Sequence, residues 1–149
     1  MEPTPPQPDD SFDPDLGRQI RASFARQGLM RTLGARIESL ATGQVRLSAP
    51  ITPAIGQQHG FAHAGASFAL GDSAAGYAAL SVLPPGAEVL TVEMKINLIA
   101  PAEGATLVAI GEVVKAGRRL VVVRATLQAA KSDGTSRDVA LLQGTMIPA

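Results

Sequence analysis

Between Leu47 and Ala87 the chain carries one formally charged side chain, Asp72. It sits within Ala64–Val82, a run of alanine, serine, glycine and leucine that is apolar almost all round. A helix of that composition is buried rather than laid on a surface. An isolated carboxylate there is costly unless it is hydrogen-bonded or neutralised, so folding alone would favour alanine. Two readings follow. Asp72 accepts a bond from a neighbour such as Ser73, or lies at a subunit interface with access to water. Alternatively it is a base or nucleophile tuned by its surroundings.

His63 stands at the mouth of the same helix, whose first residues are Ala64, Gly65 and Ala66. The first backbone N–H groups of a helix lack internal partners, and the helix dipole favours negative charge beyond them. They could hold the oxygen of a polarised carbonyl, although every helix has such an end. His59, His63 and Asp72 together invite a metal reading. However, His59 precedes a glycine in an expected loop and no glutamate lies between the histidines, so no metal is expected. The chain has no cysteine and no Gly-x-Ser-x-Gly, which disfavours an acyl-enzyme triad. Arg118 and Arg119 at a strand turn could grip a phosphate or simply be solvated.

These residues need elements to position them. Asp13-Pro14 reads as an N-cap with proline at the first helical position, and Leu16, Ile20, Phe24 and Leu29 follow at near-helical spacing. A helix is predicted over 14–27, preceded by a disordered, proline-rich lead-in over 1–13. The segments after Gly34 and Gly43 alternate, with Thr42-Gly43 between them as a hairpin turn. The buried helix ends before Pro84-Pro85-Gly86, and Gly71 and Gly76 within it call for close packing or function. Strands are then expected over 89–99, 105–115, 119–130 and 138–147. In the first, Leu90, Val92, Met94, Ile96 and Leu98 share one face, and Thr91, Glu93, Lys95 and Asn97 the other. Pro101-Ala-Glu-Gly104, Ala116-Gly117 and Asp133-Gly134 are the turns, and such short links imply that consecutive strands are antiparallel neighbours.

With 149 residues, 46% hydrophobic, the chain suits one α+β domain, 14–149, with a real core. Thirteen basic and thirteen acidic residues give zero net charge, which offers nucleic acid or an anionic membrane no attraction. No apolar run is long enough to span a bilayer, and the start lacks a signal peptide's apolar core, so a cytoplasmic location is expected.

Gln57, then His63-Ala64-Gly65, then Asp72-Ser-Ala resembles the signature of hotdog-fold thioesterases of the phenylacetate-degradation (PaaI-like) type, which show Asn, His-Gly-Gly and Ala-Asp at the same spacing. The likeness covers roughly 33–148. It implies an antiparallel sheet wrapped around one central helix, hydrolysis of acyl-CoA, and no cofactor. By position, Asp72 would be general base or nucleophile, and the Ala64 N–H would polarise the thioester oxygen. His63 would shape the turn, Gln57 would orient water or the thioester, and Thr91 would assist the water. The site would form across a homodimer or homotetramer interface, Asp72 and Thr91 of one subunit facing Gln57 and Ala64 of the other. Gly65, Phe61, Phe68 and Tyr77 would contact substrate, and Arg118 and Arg119 the CoA phosphates. The alternatives are a non-catalytic acyl-CoA binding module and a hotdog 3-hydroxyacyl thioester dehydratase using His63 with Asp72.

Overall fold

Asp13 caps the first helix, its Oδ1 accepting from the Asp15 N–H at 2.9 Å, with Pro14 at the first helical position. In the computed structural model, which describes residues 12–149, this helix (α1) covers Pro14–Arg26. The expected lead-in lies outside the described residues as far as residue 11, while Phe12, within it, packs against the core. The helix stops one residue short of the expected end. Gln27 turns to an extended conformation and a second short helix, α2 (Gly28–Leu33), follows. Leu29, expected on the buried stripe, is exposed, and Met30 and Leu33 are buried instead. Gly34, at φ +67°, ends α2 in the left-handed conformation that favours glycine.

The remaining elements are β1 (Arg36–Ala41), β2 (Gln44–Pro50), α3 (Ala64–Leu80), β3 (Val89–Leu98), β4 (Thr106–Ala116), β5 (Val121–Ala130) and β6 (Ser136–Pro148). The strands form one antiparallel sheet in the order β1-β2-β4-β5-β6-β3. The helix α3 contacts every strand from β2 to β6, so the sheet is wrapped around it. Three of the four turn signals do join neighbours: β1 to β2, β4 to β5, and β5 to β6. The fourth does not. The strands β3 and β4 are not paired, and Pro101-Ala-Glu-Gly104 crosses from the sheet edge to its middle. Turn residues fix a local bend, whereas the pairing partner depends on which edge is free, and seven extended residues reach about 24 Å.

Small residues allow the close wrapping. A Cβ on Gly111 of β4 would overlap the backbone of Ala74 and Ala75 in α3. One on Gly71 would come within 2.8 Å of Leu127 and 2.9 Å of Leu142. Ala74, Ala75, Ala78 and Ala79 are fully buried around these contacts.

The strand β3 departs from its expected alternation. A bulge between Thr91 and Glu93 shifts the pairing, so Thr91 is opposite Met146 while Met94 is opposite Gly144. Met146 and Gly144 are both buried on the side of β6 that faces α3. The bulge therefore brings Thr91 onto the same face as Met94 and Ile96, and leaves Leu90 and Val92 exposed.

Candidate functional site

The carboxylate of Asp72 is half-buried on α3, not enclosed. The Thr91 hydroxyl donates to Asp72 Oδ1 at 2.8 Å and lies 3.1 Å from Met146 Sδ. With one proton to give, Thr91 directs it to the stronger acceptor, the carboxylate. The partner of Asp72 is thus Thr91 and not the neighbouring Ser73, whose hydroxyl donates to Gln27 Oε1 at 3.3 Å. Asp72 and Thr91 line a cavity of about 170 Å³ with Ser23, Gln27, Ser73, Gly76, Tyr77, Glu88 and Met146. The second carboxylate oxygen has no protein partner among the described residues, so it is free to hold a water or substrate group.

Tyr77 is held at the base of this cavity by α1. Its ring is tilted against Phe24 at a centroid separation of 6.1 Å. Its hydroxyl accepts from Gln27 Nε2 at 2.8 Å and pairs with Ser23 Oγ at 3.0 Å. Sequence reasoning placed Tyr77 near substrate but missed Ser23 and Gln27. Their only local signal was two polar residues on the inner side of an amphipathic helix and at its end.

The other end of α3 is built differently. The backbone of Gln57 to Ala62 folds back through Gln57 N–H to Phe61 O at 2.9 Å, and His63 N–H bonds Ile55 O at 2.8 Å. Gln57 Oε1 accepts from the His59 N–H, which fixes the loop. His63 is the N-cap of α3, with Nδ1 accepting from the Gly65 N–H at 2.8 Å. That ring lies so close to Gly65 that a Cβ there would sit 3.0 Å from Nδ1, which explains glycine at this position. The Gly65 N–H is therefore taken by the cap and cannot serve a substrate. The Ala64 N–H has no acceptor among the described residues. It borders a second, larger cavity of about 600 Å³, lined by Gln57, Phe61, His63, Ser67, Leu98 and Val139 among others.

The site residues expected from the sequence thus fall into two groups. Asp72 and Thr91 share one cavity, while Gln57, Phe61, His63 and Ala64 share the other. The two groups are set by α3 about 12 Å apart along its axis. His63 and Asp72 do not form the acid–imidazole pair a dehydratase would need, because the ring is committed to its own helix end. Phe68 is half-buried against the core and lines neither cavity. Arg118 and Arg119 are exposed at the β4–β5 turn, make no ion pair with a described residue, and line neither cavity. Among the described residues, no helix is long and apolar enough to cross a membrane.

Known proteins resemble this chain in sequence and in fold. Residues 59–135, which include Asp72 and Thr91, match the family model described as the thioesterase superfamily. A Halobacterium salinarum protein, named only provisionally as an esterase, is 30% identical over 142 residues, covering 90% of this chain and 93% of that protein. The crystal structure of a thioesterase family protein from Silicibacter pomeroyi superposes with a TM-score of 0.86 at 47% identity, covering 89% of this chain and 97% of that one. The PaaI protein of the Escherichia coli phenylacetic acid degradation operon shares the fold, with a TM-score of 0.80 at 22% identity over 93% of this chain and 96% of its own. The chain belongs to the thioesterase superfamily and is a thioester hydrolase built on the PaaI-like hotdog fold.

Proposed function

We propose that the protein hydrolyses acyl-CoA thioesters at a site shared between two copies of the chain. Asp72 of one copy, steadied by Thr91, removes a proton from water as it attacks the thioester carbon, or attacks that carbon itself to give an acyl-aspartyl anhydride that a water then hydrolyses to free acid and the Asp72 carboxylate. The unpaired Ala64 N–H of the other copy holds the oxygen as it gains charge. Gln57 beside it, its Oε1 fixed by the loop, has amide protons left to orient water or the thioester. The CoA thiolate leaves with a proton, and free acid and CoA are the products. The His63 ring holds the end of α3 so that the Ala64 N–H points into the cavity.

One observation carries this reading. The carboxylate and the free N–H sit on one helix but open into different cavities about 12 Å apart, too far to act on one carbonyl. The edge strand β3 runs from the first cavity at Thr91 to the second at Leu98. Its outer edge is unpaired among the described residues, and Leu90, Val92 and Leu98 are exposed along it. Antiparallel pairing of this edge with that of a second copy would bring each Asp72 cavity to its partner's Ala64 cavity, and would cover the edge and its leucines. Arg118 and Arg119, with no ion pair among the described residues, are placed to meet CoA phosphates at the Asp72 end of the sheet.

The test is thiol release from short, medium, long and aromatic acyl-CoAs, with Asp72→Asn beside the wild type. Loss of about 10²–10⁴-fold in kcat is expected, with an unchanged thermal melt. Turnover unaffected by the substitution, or absent on every thioester, would remove the proposal.

A further inference from the structure

The cavity beside Asp72 is lined in part by Gln27, Ser23 and Tyr77, groups that nothing in the hydrolytic mechanism requires. Gln27 is the hinge residue between α1 and α2. Its backbone is fixed by its N–H to Phe24 O at 3.0 Å and by the Arg31 N–H to its own carbonyl at 3.3 Å. Its side chain reaches inward and spans Tyr77 and Ser73, with Ser23 next in the chain of hydrogen bonds. Counting donors shows what this cluster leaves over. Gln27 Nε2 has a second proton. Whichever way the Ser23–Tyr77 bond runs, one of those two hydroxyls keeps a proton not used in that bond. The cluster is thus self-satisfied when empty yet can still donate to a neutral oxygen.

Two more features bound the ligand. The part of the cavity formed by one chain measures about 170 Å³, close to the size that holds one benzene, or about six heavy atoms. The charged residues in its lining are Asp72 and Glu88, both acidic. A long alkyl tail would meet these polar groups, and a carboxylated tail would meet two negative charges with no cation among the described lining residues.

We infer that the α1–α2 hinge is the specificity element of this site, through Gln27, Ser23 and Tyr77, and selects small acyl groups ending in a neutral hydrogen-bonding oxygen. This rests on the reading that the thioester carbon sits beside Asp72. Gly76 supplies the space, since a Cβ there would meet only Met146 Cε at 3.9 Å and would otherwise stand in the cavity.

The experiment compares kcat/KM for hexanoyl-CoA, 6-hydroxyhexanoyl-CoA, adipoyl-CoA and decanoyl-CoA, using the full chain as wild type, Tyr77→Phe and Gln27→Leu. The first three acyl groups share one length and differ only at the tip. The wild type should prefer the hydroxylated group over hexanoyl by about tenfold or more, and handle adipoyl and decanoyl worst. In both variants the preference should fall to near unity. A ratio of two substrates measured on one preparation is insensitive to any loss of folded protein. Equal rates on hexanoyl and 6-hydroxyhexanoyl in the wild type, or a preference untouched in both variants, overturns the inference and leaves thioester hydrolysis at Asp72 standing. Absence of turnover on all four and on the wider thioester panel removes both.

Discussion

Ala64 occupies the first position of α3, where proline is well tolerated because the N–H it lacks has no helical acceptor. The preceding residue, His63, already has φ −62° and ψ 142°, the extended conformation that a following proline requires. Ala64→Pro therefore removes the one N–H assigned to the thioester oxygen while keeping the helix. Its expected cost is about 10²–10³-fold in kcat, as for loss of an oxyanion donor, with a denaturation midpoint near that of the wild type. Full activity in a folded Ala64→Pro protein would show that this N–H is not used. At the same scale, His63 serves through the backbone it caps, since its Nδ1 accepts from the Gly65 N–H, and its imidazole would support the N–H proposed to hold the thioester oxygen.

At the scale of elements, the glycines of α3 and β4 separate packing from function. Gly111 is where β4 meets the helix backbone, and Gly111→Ala should abolish soluble, folded protein because no side-chain adjustment relieves an overlap with Ala74 and Ala75. Gly76 has no such neighbour. Gly76→Ala should stabilise α3 by up to about 1 kcal/mol on helix propensity, measured by chemical denaturation. The same change should depress turnover of the bulkier acyl groups by putting a methyl in the cavity. A destabilised Gly76→Ala protein would mean that the space is needed for packing after all. The contrast was only half legible beforehand: both Gly71 and Gly76 stood out as costly in a helix, but which one faced leucines and which faced a cavity depends on the sheet around them.

For the whole molecule, the division of the site between two cavities leads to a complementation test. Asp72→Asn and Ala64→Pro should each be nearly inactive alone. Mixed, unfolded and refolded together, they should recover about a quarter of wild-type activity, since half of the dimers are mixed and each of those has one intact site of two. No recovery, with mixed dimers demonstrated by mass spectrometry, would place the complete site within one chain. Light scattering at micromolar concentration should show at least a dimer, since the exposed β3 edge is otherwise left open with its leucines in water.

Features that depend on neighbours along the chain are legible without a structure. The start of α1 is set by Asp13 and Pro14, and the β5–β6 turn by Asp133, which accepts from the Thr135 N–H, and Gly134 at φ +89°. The uniformly apolar α3 with its lone Asp72 and its His63-capped end is equally local, because cap and composition act within a turn or two. Tertiary structure decided what depends on register and distant contacts. Strict alternation assigned Thr91 to the face away from Met94, and only the bulge imposed by pairing with β6 turns it toward Asp72. Strand order placed β3 at an edge, because the crossing segment spans the sheet instead of folding back, and no turn residue encodes that choice. Gln27 and Tyr77 lie some fifty positions apart, and their bond exists because α1 is held beside α3, with Phe24 against the Tyr77 ring and Ile20 buried in the core, a long-range packing event that single-residue patterns do not carry.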